Sequence, residues 1–130
     1  MRIELTSVFV DDQEKALKFY TAKLGFVKKM DITAGGYRWL TVVSPENKDG
    51  AQLVLGPNNN PAYKAYQEAI FKQGIPAQNF LVDDIQKEYQ KLKELGVKFT
   101  KEPTKVTGST IAVLDDTCGN LIQITQLQYK

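Results

Sequence analysis

The 130-residue sequence contains no histidine. That removes the commonest transition-metal ligand and the commonest general base near neutral pH. A Ser-His or Cys-His nucleophile pair within one chain is therefore excluded, as is any metal site that needs imidazole. There is one cysteine, Cys118, so no intrachain disulfide can form. Net charge is also scarce: 17 basic and 15 acidic residues leave +2, and they are interspersed. Without a basic block, nucleic acid and anionic membranes are poor candidates for partners. No apolar run approaches the roughly 20 residues of a membrane span. The alternating stretch from Met1 to Val10 is too short for a secretory signal, so the cytoplasm is the default expectation.

What is present is a repeat. Val10-Asp11-Asp12, a charged amphipathic stretch and Leu24-Gly25-Phe26 return as Val82-Asp83-Asp84, a second such stretch and Leu95-Gly96-Val97. The first stretch places Ala16, Leu17, Tyr20 and Leu24 on one helical stripe, the second Ile85, Tyr89 and Leu92. Asp11 or Asp12 can cap the first helix; Asp11 with Glu14, and Asp83 with Gln86, have the form of capping boxes, so the aspartates read as helix caps rather than as an acidic site.

Strands are expected over Ile3–Val10, Phe26–Ile32, Tyr37–Val43 and Gln52–Leu55, with a polar loop from Ser44 to Gly50. Pro61 opens a connector helix with a buried stripe of Ala62, Ala65, Tyr66, Ala69 and Ile70. Further strands follow at Gln78–Val82, Val97–Thr100, Thr110–Leu114 and Leu121–Leu127, with a loop over 103–108 and a tight turn at 115–120. Each half thus reads β-α-β-β-β, and corresponding landmarks keep their spacing to within a few residues. The fold class is α+β, in one domain over 1–130: module one about 1–57, a connector helix about 60–74, and module two about 77–127.

With these landmarks, and with Phe19-Tyr20 and the run from Asp116 to Ile122, the chain resembles the vicinal oxygen chelate superfamily, the glyoxalase, bleomycin-resistance and extradiol-dioxygenase group. The resemblance implies two βαβββ modules whose mixed sheets form a half-open barrel around a ligand cavity. Members that do chemistry hold a divalent metal there. The resemblance places the ligand positions at Leu5, Val54, Ala77 and Gln123. Only Gln123 offers an oxygen, and one neutral ligand cannot hold a metal. No metal, cofactor or catalytic residue is therefore assigned.

If those four positions face inward, alternation adds their neighbours. Ser7, Phe9, Tyr37, Trp39, Thr41, Gln52, Val54, Asn79, Leu81, Thr110 and Gln123 become the ligand-binding candidates, with Leu121, Thr125 and Ala112 beside them. That wall is apolar and aromatic with neutral hydrogen-bonding groups, suited to a small aromatic or amphipathic molecule. Cys118 has no evident activating neighbour and reads as structural. Arg38 is expected on the face that meets the helices, or at an edge. The leading function is a metal-free, sequestration-type small-molecule binding protein, with a homodimer expected. The alternatives are a divergent lyase or dioxygenase-type enzyme, and a dimeric interaction module with a vestigial cavity. For the latter, the exposed edge near Arg38 or the C-terminal run from Gln126 to Tyr129 would serve.

Overall fold

A computed structural model describes residues 1–128, so Tyr129 lies outside the described residues. The chain divides into two compact units, the first from Met1 to Ala65 and the second beginning at Tyr66. The first contains β1 (Leu5–Val10), α1 (Gln13–Lys18), β2 (Val27–Ala34), β3 (Tyr37–Ser44) and β4 (Asn47–Pro57). The helix α2 (Pro61–Lys72) spans the division. The second unit then contains β5 (Gln78–Leu81), α3 (Ile85–Glu94), β6 (Lys98–Val106), β7 (Ser109–Asp115) and β8 (Leu121–Leu127).

The duplication is complete at the level of topology. One sheet has strand order β1-β4-β3-β2 and the other β5-β8-β7-β6. In each, the first strand runs parallel to the last and the rest are antiparallel. The same landmarks build both helices. Asp12 caps α1 by accepting from the Glu14 and Lys15 N–H groups, and Asp84 caps α3 by accepting from Lys87 N–H. The capping boxes expected from Asp11 and Asp83 are thus displaced by one residue. Asp11 instead pairs with Lys15 at 3.2 Å. Gly25 and Gly96 end the two helical segments at φ of 83° and 86°, a conformation that costs a side-chain-bearing residue. Between Lys18 and Gly25 the first helix widens into a π turn, Phe19–Lys23.

Three expectations give way. The loop over 44–50 is a tight turn at Pro45-Glu46 followed at once by β4, which starts at Asn47. The loop over 103–108 is largely β6, which passes Pro103 by register shifts between Phe99 and Thr104. Proline lacks the ladder N–H, and such irregularities are where a strand tolerates it. The connector helix buries no stripe of small and aromatic residues. Ala62, Ala65, Tyr66 and Ala69 are exposed, Ile70 is half-buried, and the buried residue is Gln67. The reason is polar: Gln67 is held by acceptors in the turn before β8. Among the described residues no helix is long and apolar enough to cross a membrane.

Candidate functional site

Each sheet has one face packed on its own helix and one that is not. In the first unit Val8, Val10, Leu40, Val42, Leu53 and Leu55 are all buried. Alternation puts them on one face, where the α1 residue Gln13 donates to the carbonyls of Arg38 (3.0 Å) and Leu55 (2.9 Å). Leu5, Ser7, Phe9, Tyr37, Trp39, Thr41, Gln52 and Val54 therefore share the other face. The registers agree: Leu5 pairs with Gln52, and Ser7 and Thr41 both pair with Val54. The floor of this face is closed, with Thr41 and Val54 buried. Its margins are open, with Trp39 and Gln52 half-buried and Tyr37 exposed.

Two details define its chemistry. The Thr41 hydroxyl donates to Gln52 Oε1 (2.7 Å) and accepts from the Met30 N–H (3.2 Å), which the register shift between Lys28 and Met30 frees from the ladder. This holds the Gln52 amide by its oxygen and leaves the amino group as a donor. At the other end Phe9 stacks on Tyr63, ring centroids 4.0 Å apart and planes 15° from parallel. Phe9 lies opposite Gly56, and a Cβ there would meet a ring carbon at 3.5 Å, an ordinary packing distance. Sequence reasoning missed Tyr63 because it belongs to the connector, with no local pattern tying it to β1.

In the second unit Asn79 pairs with Gln123, which pairs with Val113; Leu81 pairs with Thr125, which pairs with Ile111. These residues share the face opposite buried Ile122, Ile124, Ala112 and Leu114. Thr110 does not belong with them. It pairs with Gln126, whose Oε1 accepts from the Ile85 N–H at the start of α3 (2.8 Å), so Thr110 and Ala112 lie on the helix-packed face. The hairpin register fixes this parity: Asp115 stands opposite Leu121 and every pair follows in step. On the open face the Thr125 hydroxyl donates to Asn79 Oδ1 (2.6 Å) and accepts from Gln123 Nε2 (3.1 Å).

The turn before β8 is a densely hydrogen-bonded polar element. The buried Asp116 carboxylate accepts from Cys118 N–H (2.7 Å), Asn120 N–H (3.0 Å) and Asn120 Nδ2 (2.9 Å). Gln67 donates to the Cys118 carbonyl (3.1 Å) and to Asn120 Oδ1 (3.2 Å). Cys118 is outside any disulfide and fully buried, the setting of a structural cysteine rather than a nucleophile. Arg38 sits on the helix side of its sheet. It donates to both Asp31 oxygens (2.9 Å each) and to Glu14 of α1 (3.1 Å). That fork holds the Asp31 carboxyl down at about 2, against a partial opposing effect of burial and with help from the charges of Arg38 and Lys28. The Arg38 guanidinium is correspondingly raised.

The donor set decides what the open faces can hold. Leu5, Val54 and Ala77 have no ligating atom, Gln123 has one neutral amide, and its nitrogen is engaged by Thr125. Among the described residues no group of three or more His, Cys, Asp or Glu side chains is placed to bind a metal ion. The residues present do not fit a divalent metal site of the family type.

Paired parallel-first, antiparallel-after sheets with one helix each define a duplicated βαβββ protein, and residues 2–124 match the Glyoxalase/Bleomycin resistance protein/Dioxygenase superfamily. The chain belongs to that superfamily. It is 61% identical over 126 residues to YurT of Bacillus subtilis (strain 168), covering 97% of this chain and 99% of that protein. Among solved structures, UcmS2 is 32% identical with a TM-score of 0.84, covering 96% of this chain and 97% of the other. TnmS3, an antibiotic binding protein from Streptomyces sp. CB03234, is 27% identical with a TM-score of 0.79, covering 98% and 97%.

Proposed function

We propose that this protein binds a small aromatic or amphipathic molecule without a metal and without chemical conversion, as a sequestration-type member of its superfamily. The observation that carries this is the pairing of two features. The positions that the family resemblance assigns to metal ligands hold Leu5, Val54, Ala77 and Gln123. The same faces offer aromatic rings and neutral hydrogen-bonding groups instead. On the first sheet's open face Phe9, Trp39 and Tyr37 supply flat apolar area and Gln52 a polar anchor; on the second sheet's open face Asn79 and Gln123 supply polar groups. The structural similarity to an antibiotic binding protein supports the same reading.

Trp39 is the chain's one tryptophan and is half-buried on the open face of the first sheet. A library of aromatic compounds screened by thermal shift and by tryptophan emission tests the proposal. Binders should raise the melting temperature and alter Trp39 emission. Stoichiometric Ni²⁺, Zn²⁺, Mn²⁺ or Fe²⁺ in the purified protein, or a metal-induced shift of several degrees, would overturn the metal-free reading. Exposed Leu5, Tyr37 and Leu81 favour a second copy of the chain as a further partner. Light scattering across a concentration series measures it, and a monomer at all concentrations would remove that part.

A further inference from the structure

We infer that Asn79 and Gln123 form a donor–acceptor pair that selects ligands carrying an adjacent N–H and C=O, a lactam, imide or carboxamide edge. The inference rests on the binding function proposed above and names the ligand chemistry of the second sheet's open face.

One hydroxyl proton organises the pair. Thr125 is buried, 4% exposed, and its hydroxyl bridges two amides on the same face. It bonds Asn79 Oδ1 at 2.6 Å and Gln123 Nε2 at 3.1 Å. A hydroxyl has a single hydrogen to donate, so it engages one amide through that amide's oxygen and the other through its nitrogen. Asn79 is left presenting its amino group and Gln123 its carbonyl. Exchanging the roles of the two amides would leave the opposite pair, again one donor and one acceptor. Two outward acceptors would arise only if Thr125 gave up its own donated bond, and two outward donors would need a second hydroxyl hydrogen. The pair is thus complementary by construction.

Position favours use by a ligand. Asn79 and Gln123 are register partners on the parallel strands β5 and β8, about 4.8 Å apart between strands. Asn79 is exposed and Gln123 half-buried, so both outward groups can be reached. A ligand with only an acceptor satisfies Asn79 and leaves the Gln123 carbonyl facing an apolar group. One with N–H beside C=O satisfies both. The first sheet differs: there Thr41 leaves Gln52 a donor alone.

The test uses three planar bicyclic probes of nearly one shape: isoquinolin-1(2H)-one, its N-methyl derivative and isocoumarin. Titration calorimetry on the full chain should show the lactam binding at least about tenfold more tightly than the other two, the equivalent of one or two unpaired hydrogen bonds. Thr125→Val, isosteric but without the bridging proton, should remove that preference, and Thr125→Ser should keep it. Asn79→Ala, at an exposed position, deletes both the outward donor and the acceptor of the Thr125 hydroxyl and should remove the preference as well. Equal affinity of the three probes, or a preference that survives both Thr125→Val and Asn79→Ala, overturns the inference while leaving small-molecule binding intact. If neither these probes nor the wider aromatic library bind, the binding function falls and this inference with it.

Discussion

Gln67 and Gly119 are closer than any other residue type at 119 would permit: a Cβ on Gly119 would stand 2.5 Å from Gln67 Nε2. Gly119 also has φ of 97°, where a side chain is strained whatever the space. Gly119→Ala therefore faces two costs, backbone strain and displacement of the Gln67 amide from its two acceptors. Together these should destabilise the fold by about 2–4 kcal/mol. Gln67→Ala should cost about 1–3 kcal/mol by leaving the Cys118 carbonyl and Asn120 Oδ1 without that donor. Urea denaturation of the double variant separates the terms. With Gln67 gone, Gly119→Ala should cost clearly less than in the parent; simple additivity would show that the steric contact is irrelevant.

The two aspartate pairs make a finer prediction. Asp12 and Asp84 each accept a backbone N–H at a helix start, whereas Asp11 joins an exposed ion pair with Lys15. Asp12→Ala and Asp84→Ala should each cost about 1 kcal/mol, the usual value of a cap. Asp11→Ala should cost less than about 0.5 kcal/mol, the range for an exposed i,i+4 pair. Chemical denaturation of the three single variants gives the order, and equal losses at 11 and 12 would contradict the observed register.

These residues also show how far the sequence could be read. The repeat of Val-Asp-Asp and Leu-Gly located both helices and both sheets, because caps and stop signals act locally. It could not say which aspartate of each pair caps, since either fits within one residue. Strand faces followed from alternation on β1, β4, β5 and β8, where apolar and polar residues separate. On β7 the run Ile111-Ala112-Val113-Leu114 is apolar on both faces, so only pairing with β8 sets its parity, and Thr110 fell on the other side. Gln67 was invisible for a different reason. A polar helical residue reads as exposed until its acceptors, more than fifty residues away in sequence, are known.

Acid should weaken the first unit through Asp31. Its pKa falls from 3.8 to about 2, chiefly through the Arg38 hydrogen bonds. A carboxylate held below its unfolded value contributes stability that is complete above the unfolded pKa. That contribution is lost as pH drops toward the folded value. Melting temperature should thus be insensitive to Asp31 from pH 7 to about 5 and should decline between about 4 and 2. Asp31→Asn should melt lower than the parent at pH 7, with the gap narrowing as pH approaches 2. A constant gap across that range would mean that the Arg38 fork does not govern the acid slope.

The Phe9–Tyr63 stack yields a prediction that joins stability to binding. The rings are nearly parallel at 4.0 Å, and Tyr63 is 42% exposed, so most of the partner's value lies in covering Phe9. Tyr63→Phe keeps the ring and should be close to neutral. Tyr63→Ala should cost about 0.5–1.5 kcal/mol beyond the area lost, the range for aromatic pairs. It also strips one wall from Phe9 and releases the rotamer that holds that ring over Gly56. Aromatic probes that bind the first sheet's open face should then lose affinity in Tyr63→Ala and keep it in Tyr63→Phe, read by Trp39 emission. Full affinity in Tyr63→Ala, with the expected loss of stability, would confine the stack to folding and place the ligand away from Phe9.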